Sequence, residues 1–482
     1  MKAVLIRPDS NGYVTAATPP LGLAYLHAGL KKAGVDVEVA DLGHQDLTRK
    51  KLFERLAADP PDLVGVQAFT RSLFATKDVI DGIDTAIPKS VPIVVGGPHP
   101  SALPTETLNE IPRATYVLTG EADESLPALA AELAKGDRAN PEAVTGLYWR
   151  ENGQVRGTAQ HLPQDLDSLG HIDWDYMKPL SYRAEELTGF TKYTPAAQVY
   201  TSRGCPYLCE YCSVHVVNGR KIRRHSAEFV LEDMERLHKG MGFPEIRIMD
   251  DNFPTQRKYV LDFCEKLAAK NWDLAVSMPC GVHLQLIDDE LLDALKSIGV
   301  YGVAVAVEAG SDRILKAMKK GINIKLVKEK TKLITAKGLD ATGYFILGYP
   351  TETREEIKTT IKLSRSLGLT RAHYNVFMPF PGTKITERLE TSGQLETIPW
   401  EHHHFESVNF SYCEVSADEL RRLRKMALYS FYLRPHILWH FLTKLSSARQ
   451  FVFVLRKFLE YTQLSWPKLP WRRTAAASAT AD

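Results

Sequence analysis

Short apolar runs alternate with amphipathic helical patterns along most of the chain, and this alternation restricts the fold to parallel sheets covered by helices. In the first third, helices are predicted at residues 20–34, 105–110 and 124–133. The strands predicted in the same part lie at residues 3–6, 35–39, 63–67, 93–96 and 116–118. We therefore predict an α/β fold in which residues 1–150 form a Rossmann-like domain.

A second alternation spans residues 191–400, where six parallel strands predict an incomplete barrel with its chemistry at the carboxyl ends of the strands. Residues 151–190 are rich in Gly, Pro and Asp and are interpreted as a linker. Residues 401–482 are predicted to form a C-terminal helical region with a disordered tail. The barrel strands are predicted at residues 197–201, 245–249, 274–277, 302–307, 341–347 and 373–377.

Composition is that of an ordinary globular chain, with 482 residues of which 44% are hydrophobic and 24% are charged. A formal net charge of +2 gives no sign of a nucleic-acid partner. Residues 1–8 lack the long apolar region of a secretory signal. No apolar stretch reaches the roughly 18 residues needed to cross a bilayer. We expect a cytoplasmic protein with reduced thiols.

Cys205, Cys209 and Cys212 stand in one loop directly after an apolar run. Three thiolates aimed at one point can hold a cubane iron–sulfur cluster and leave its fourth iron open for another ligand. Zinc is the competing occupant, but a structural zinc site needs a fourth Cys or His, for which His215 is the close candidate. Three unrelated buried cysteines are the remaining alternative. The clustering of half of the chain's 6 cysteines in this loop favours the iron–sulfur interpretation.

Polar residues follow the predicted strands of both sheets. Asp250 and Asp251 come after the second barrel strand, and Glu308 and Ser311 come after the fourth, so we expect all four at the barrel mouth. Purely structural roles are the alternative, because either aspartate can cap the following helix and Glu308 can belong to an ion pair. At the same edge of the first sheet, glycines let a large ligand approach the backbone. The residues expected there are Thr70, Ser72, Gly96, Gly97, His99, Gly120 and Glu121.

The three-cysteine loop, followed in order by the segments 308–315, 348–352 and 379–383, resembles the radical S-adenosylmethionine (SAM) superfamily over residues 195–385. The resemblance implies that the three cysteines bind a 4Fe–4S cluster whose fourth iron is chelated by SAM. It also implies that Tyr211 contacts the adenine of SAM and that Glu308 and Ser311 make polar contacts to SAM. Asp250 and Asp251 replace the family's Gly-Gly-Glu run and take its role of binding the SAM amine.

The first third resembles the cobalamin-binding domain that precedes such barrels, through the segments 19–25, 96–99 and 120–121. The resemblance implies that cobalamin binds at the glycine-rich edge described above. One departure concerns His44, because the family's axial histidine stands in an Asp-x-His-x-x-Gly pattern that this chain lacks. The alternative is a domain that has kept its fold without binding cobalamin.

Two further segments have open interpretations. Arg223 and Arg224 are interpreted as solvated surface residues, with binding of a carboxylate or phosphate as the alternative. Residues 428–461 mix aromatic and basic side chains, which suits peripheral contact with a membrane and a lipid-like substrate. The alternative for that segment is a pair of helices that close the barrel.

The resemblance implies a cobalamin-dependent radical SAM methyltransferase that acts on an unactivated carbon of a small-molecule or lipid-like substrate. The partner it implies is a reductant protein such as a flavodoxin or ferredoxin. The first alternative is a radical SAM cyclase, ring-contraction or rearrangement enzyme with the same domain order. The second is a non-catalytic iron–sulfur or zinc module that senses or scaffolds.

Overall fold

The computed structural model describes residues 1–9, 18–44, 46–182, 191–396, 399–403 and 408–444. The first domain contains a seven-stranded sheet with the strand order β2-β1-β3-β4-β5-β6-β7. Its first five strands are parallel, as the sequence predicted, and the last two form an antiparallel hairpin. The strands are Lys2–Arg7 (β1), Asp36–Asp41 (β2), Leu63–Gln67 (β3), Ile93–Gly96 (β4), Tyr116–Leu118 (β5), Leu147–Glu151 (β6) and Gln154–Gly157 (β7).

Helices cover both faces of this sheet because alternate residues of its strands are apolar on opposite sides. Val4 and Ile6 pack in one core with α2 and α3, and Leu5 packs in another with α1 and α6. This arrangement confirms the predicted Rossmann-like domain. The helices are Leu21–Lys32 (α1), Arg49–Ala58 (α2), Leu73–Ala86 (α3), Pro98–Ala102 (α4), Pro104–Glu110 (α5) and Ser125–Leu133 (α6).

The hairpin of β6 and β7 carries the sheet beyond residue 150, the domain boundary that the sequence predicted. Its strands are short; β7 is largely exposed, and in β6 only Leu147 and Trp149 are buried, so neither strand has the long apolar run of the parallel strands. Arg150 fixes the hairpin to the domain by donating to the carbonyl oxygen of Ala114 at 2.7 Å.

Residues 158–182 of the predicted linker pack between the two domains. They contain the one-turn helix Trp174–Met177 (α7), in which the Trp174 side chain is 1% exposed. The Trp174 Nε1–H donates to Asp233 Oδ1 at 2.9 Å. Trp174 and Tyr25 belong to the same apolar core as the barrel helices, so this core is continuous across the domain boundary.

Six parallel strands form the partial barrel that the sequence predicted. They run in the order β8-β11-β12 and β13-β14-β15, and a parallel bridge between Val276 and Val300 connects the two groups. The short antiparallel pair of β9 and β10 lies outside this wall. The strands are Ala196–Val199 (β8), Ser202–Arg203 (β9), Arg223–Arg224 (β10), Glu245–Ile248 (β11), Ala275–Ser277 (β12), Gly302–Glu308 (β13), Asp340–Leu347 (β14) and Arg371–Val376 (β15).

The helices of the second half surround the barrel. The capping box of α14, in which Thr353 and Glu356 bond reciprocally, shows how local sequence fixes such a helix start. The helices are Val214–Asn218 (α8), Ala227–Glu235 (α9), Arg257–Ala269 (α10), Asp289–Ser297 (α11), Asp312–Ala317 (α12), Ile324–Ala336 (α13), Arg354–Ser366 (α14), Lys384–Thr391 (α15), Ala417–Tyr432 (α16) and Pro435–Lys444 (α17).

The barrel interior is polar. Ile246 and Ile248 of β11 point outward into the apolar core, so Glu245 and Arg247 between them face the interior. The same alternation applies to β14 and β15, whose apolar residues lie in the outer core. The polar residues at interior positions of these strands are Gln198, Glu245, Arg247, Ser277, Thr342, Tyr344, Arg371, His373 and Asn375.

Helix α16 closes the side of the barrel beside β15, and residues 428–432 of the tail segment belong to it. Arg424 Nε donates to the carbonyl oxygen of Tyr374 at 2.9 Å, and Tyr432 Oη donates to that of Ala372 at 2.8 Å. Helix α17 leaves Leu438 and Trp439 exposed. Residues 445–482 lie outside the described part, and with them most of the aromatic and basic tail. No helix in the described ranges is long and apolar enough to cross a membrane.

Candidate active site

The three-cysteine loop starts at the mouth of the barrel, immediately after β9. Gly204 begins the loop with a φ of +95°, and a Cβ there would lie 2.5 Å from the carbonyl oxygen of Lys221, so the chain requires glycine. Cys209 is buried, whereas Cys205 and Cys212 are half-buried. The sequence order of strand, loop and helix thus places all three thiols at one end of the barrel.

Burial raises the pKa of all three thiols, and it raises that of Cys212 to about 12. The backbone N–H groups of Tyr207 and Val214 partly oppose this by bonding to the sulfurs of Cys205 and Cys212. Buried thiols that receive N–H bonds have the chemistry of ligands that lose their protons when a soft metal centre binds. The donor set therefore fits an iron–sulfur cluster.

A single zinc ion would need a fourth ligand beside the three thiolates, and His215 is the close candidate. His215 Nδ1 lies 3.1 Å from the carbonyl oxygen of Cys212, so this ring nitrogen already has a backbone partner. A cubane cluster needs no fourth protein ligand, because its open iron takes another ligand. The three cysteines alone are therefore sufficient for a cluster.

Glu308, Tyr211 and Lys320 form a buried polar triad beside the cysteines. Glu308 Oε1 accepts from Tyr211 Oη at 2.7 Å and from Lys320 Nζ at 2.9 Å. Glu308 ends β13 with a φ of +65°, an unfavourable conformation for a side chain of this kind. Burial lowers the pKa of Lys320, but the charge of Glu308, its hydrogen bond and the nearby thiols of Cys209 and Cys212 together outweigh burial, so the pKa lies above its usual value. A lysine cation therefore stands within the predicted SAM site.

The sequence did not predict Lys320. Its one signal is a Lys-Lys-Gly run after a short helix, and lysines in such runs are usually exposed. Glu308 and Tyr211 do come together as predicted. The ion pair of Glu308 with Lys320 also agrees with the alternative that Glu308 has a structural role in an ion pair.

The Asp250 carboxylate is fully engaged in hydrogen bonds to other residues of the protein. It accepts from the Thr201 backbone N–H at 2.7 Å and from the Ser202 hydroxyl at 2.5 Å, and Asp250 is 2% exposed. These bonds fasten the end of β8 to the end of β11, so the geometry gives no support to Asp250 as a SAM ligand. Neither aspartate caps α10, which begins after Gln256.

Asp251 and Ser311 stay predictions as SAM contacts. Asp251 is half-buried and accepts from Asn218 Nδ2 at 2.9 Å. The Ser311 hydroxyl donates to Glu356 Oε1 at 2.7 Å, which turns it toward α14.

The residues predicted to contact cobalamin at the edge of the first sheet fall into two groups, one partly exposed and one buried. Ser72, Gly96 and Gly97 are partly exposed, and Phe69 beside them is 46% exposed. A Cβ at Gly97 would lie 2.6 Å from the carbonyl oxygen of Ala68, so this glycine permits two loops to approach each other closely. Apolar and backbone surface of this kind fits a large flat ligand.

The other group is buried. Thr70 and His99 face each other, with the Thr70 Oγ1 3.3 Å from the His99 Nδ1, and the Trp400 indole stands edge-on to the His99 ring at a centroid distance of 4.9 Å. Burial lowers the pKa of His99 to about 4, so the imidazole is neutral. Gly120 is buried as well, with its N–H donating to the Ser101 hydroxyl at 2.9 Å. Trp400 comes from the C-terminal region, and no local pattern in the sequence indicated that it packs against His99.

Glu121 belongs to an ion-pair network between the domains, and its role as a cobalamin contact stays a prediction. It accepts from Arg203 Nη1 at 2.9 Å and from Arg223 Nη1 at 2.8 Å. Asp123 accepts from Arg203 Nη1 at 2.7 Å, and the Arg203 guanidinium lies 4.8 Å above the Tyr25 ring. Arg223 is 3% exposed, so its interpretation as a surface residue is wrong.

His44 lies on the linker side of the first domain. Its Nε2 is 3.1 Å from the carbonyl oxygen of Ser181, and its ring packs edge-on to Tyr182. His44, which stands outside the family's axial-histidine pattern, is thus engaged by residues of the linker.

The class that emerges is an enzyme with an iron–sulfur barrel joined to a Rossmann-like domain. A family model described as the radical SAM superfamily matches residues 199–364, and one described as the B12 binding domain matches residues 11–130. An uncharacterized methyltransferase of Pyrococcus horikoshii is 31% identical over 443 residues, covering 91% of this chain and 94% of the relative. This chain therefore belongs to the cobalamin-binding branch of the radical SAM superfamily.

Two more distant relatives differ in reaction. The cytidylyl-2-hydroxyethylphosphonate methyltransferase of Streptomyces wedmorensis is 26% identical, with 80% of each chain covered. The anaerobic magnesium-protoporphyrin IX monomethyl ester cyclase of Cereibacter sphaeroides is 26% identical, with 84% of this chain and 66% of the relative covered.

Two solved structures share the fold. The cobalamin-dependent radical SAM enzyme OxsB has a TM-score of 0.73 and 17% identity, covering 95% of this chain and 72% of that one. The methyltransferase TsrM of Kitasatospora setae has a TM-score of 0.69 and 18% identity, covering 83% and 79%. The cofactors of this chain are accordingly a 4Fe–4S cluster, SAM and cobalamin, and it is an enzyme rather than a non-catalytic module.

Proposed function

We propose that this enzyme methylates an unactivated carbon atom of a small molecule. The observation that carries the proposal is the ion pair of Arg203 with Glu121 and Asp123. Arg203 stands two residues before Cys205, and Glu121 directly follows Gly120 at the edge of the first sheet. This contact holds the cluster loop against the cobalamin-binding domain, as a reaction that uses both cofactors requires.

The residues of the chain have separate tasks in this proposal. Cys205, Cys209 and Cys212 hold the cluster, while Glu308 and Lys320 fix the polar end of the SAM site. When bound, the cluster with SAM supplies a 5′-deoxyadenosyl radical and cobalamin supplies a methyl group. The barrel wall and the docked first domain exclude water from the space between them.

Anaerobic reconstitution with iron, sulfide and hydroxocobalamin tests this function. We expect the purified protein to retain corrinoid and iron and, with titanium(III) citrate and methyl-labelled SAM, to release 5′-deoxyadenosine and transfer label to the bound corrinoid. Replacing Cys205, Cys209 and Cys212 together by Ala should remove the iron and the deoxyadenosine. Cys264→Ala is the matched control, because Cys264 is buried in the core of α10. A protein that retains no corrinoid, or a triple variant with full iron content, would contradict the proposal.

A radical cyclase or rearrangement enzyme is the second candidate, and the 26% identity to the Cereibacter sphaeroides cyclase favours it. The two candidates differ in the fate of the label. A methyltransferase passes the methyl group of SAM to its product, whereas a cyclase product contains no label.

We also propose a cytoplasmic location and a reductant of the flavodoxin or ferredoxin type, since a reduced cluster and free thiols persist in a reducing compartment. Peripheral membrane contact through the C-terminal helices stays a prediction, supported by the exposed Leu438 and Trp439 of α17. The polar barrel interior gives less support to a lipid-like substrate.

A further inference from the structure

Arg247 is a buried cation inside the barrel without matching partners. Its side chain is on β11 at an interior position, and the residue is 5% exposed. Its Nε and Nη1 atoms have no hydrogen-bond partner among the described residues. Buried guanidinium groups in native proteins are nearly always paired, because an unpaired buried charge is strongly destabilising.

The neighbouring carboxylate does not supply the missing partner. Glu245 accepts from the backbone N–H groups of Lys192 and Tyr193 at 2.7 and 2.9 Å, from the Ser277 hydroxyl at 2.8 Å and from the Tyr301 hydroxyl at 3.0 Å. Both of its oxygens are therefore used by other donors. Burial lowers the pKa of Arg247, and the charge of Glu245 opposes this only in part.

The surroundings of Arg247 suit a polar ligand. Gln198 and Ser277 stand at the matching register positions of β8 and β12, so the guanidinium is flanked by polar side chains on both sides. On the far side of β12, β13 places the small residues Gly302, Ala304 and Ala306 at interior positions.

We propose that Arg247 binds an oxyanion of the substrate, either a carboxylate or a phosphate, inside the barrel. A guanidinium offers planar, charged donors that match both groups, and the dry interior strengthens such a bond. This inference rests on the proposed function, because it assigns the chemical class of the molecule that is methylated.

The test is isothermal titration calorimetry on the reconstituted enzyme in the presence of SAM. The probes are benzoate, phenyl phosphate and the neutral ester methyl benzoate. We expect benzoate or phenyl phosphate to bind and the ester to bind more weakly, and the stronger of the two acids identifies the oxyanion. Equal binding of acid and ester, or no binding of either acid, overturns the proposal. Loss of acid binding when SAM is present, compared with its absence, would assign Arg247 to SAM and also overturn it.

Substitutions at Arg247 test whether the acid probe binds at this residue. Arg247→Gln should weaken binding of the preferred acid by about 10- to 100-fold, the effect of losing a charge-assisted bond, and Arg247→Lys should keep part of the preference for acid over ester. Arg236→Gln is the control, since Arg236 is exposed and pairs with Asp175 on the surface. An Arg247→Gln variant that binds the acid as the wild type does overturns the proposal. If circular dichroism shows that the Arg247→Gln variant is unfolded, the proposal is judged by the preference of the wild type and of Arg247→Lys for acid over ester.

Failure of this inference differs from failure of the proposed function. The titration measures acid binding without turnover, whereas the proposed function is judged by corrinoid retention and methyl transfer. An enzyme that transfers label but does not distinguish acid from ester would retain its function and lose the Arg247 assignment.

Discussion

Lys319 and Lys320 are adjacent in sequence but have different surroundings. The Lys319 side chain is 62% exposed and pairs with Glu210, whereas the Lys320 side chain is 6% exposed and pairs with Glu308. A buried ion pair that loses one partner leaves a buried charge, which is far more costly than the loss of an exposed pair.

We predict that Lys320→Met destabilises the metal-free chain by about 3–5 kcal/mol because it leaves Glu308 unpaired. Lys319→Met, the matched control, should cost about 0–1 kcal/mol, because Lys319 is exposed and the buried Glu210 keeps Arg388 as its second partner at 2.6 Å. Urea unfolding followed by circular dichroism measures both. Similar losses in the two variants would show that Lys320 is not the counter-charge of Glu308.

Single residues also show what the sequence could and could not predict. The three cysteines were predictable because spacing and residue type are local, and their chemistry is limited to few ligands. Asp250 and Glu121 were assigned to cofactors because they were predicted to lie at strand ends. The structure does place both residues at strand ends. Their side chains turn to Thr201 and Arg203, and the direction of a side chain depends on partners that a single sequence does not identify.

At the scale of elements, the turn between β14 and α14 contains an unusual carboxyl group. Glu352 is fully buried, and its Oε2 accepts from the backbone N–H groups of Gly348 and Tyr349 at 2.7 and 3.2 Å. Its Oε1 has no partner within the described ranges. Burial raises the pKa of Glu352 to about 8, since the two N–H bonds oppose it incompletely.

The raised pKa of Glu352 predicts that the fold loses stability between pH 5 and 8. In that window the unfolded chain has released this proton while the folded chain retains it, so the loss is on the order of 4 kcal/mol for a pKa near 8. We expect Glu352→Gln to flatten this part of the stability profile, as measured by urea unfolding at pH 5 and pH 8. Glu355→Gln, on the exposed first turn of α14, should keep the wild-type slope, and an unchanged slope in Glu352→Gln would refute the assignment.

Elements were predictable where burial imposes a period. The five parallel strands of the first sheet and the six of the barrel all have apolar runs that helices cover on one or both faces. The β6–β7 hairpin escaped prediction because its residues are mostly exposed. The 3₁₀ turn Trp400–His402 escaped it because its contact is with Glu110 and His99, far away in sequence.

At the scale of the whole molecule, two arginines of the barrel domain and two acids of the first domain hold the halves together. All four side chains are less than 10% exposed. Arg203 and Glu121 are 82 positions apart, so no window of sequence indicates that they meet. The domain order could be predicted from local patterns, whereas the docking of the domains could not.

We predict that Glu121→Gln weakens the docking of the two domains, because Arg223 and Arg203 lose a buried counter-charge. The expected cost is about 3–5 kcal/mol, seen in scanning calorimetry as a lower unfolding temperature or as two separate transitions. Glu124→Gln serves as control, since Glu124 is exposed and pairs loosely with His161. Identical thermograms for Glu121→Gln and the wild type would contradict this role.

The same buried charges have a consequence for maturation. We expect a corrinoid to enter while this seam is open, and opening it means pulling Arg203 away from two carboxylates that are less than 10% exposed. Loading is therefore expected while the nascent halves are still apart, so cells starved of vitamin during synthesis should yield a closed protein that takes up corrinoid slowly afterwards.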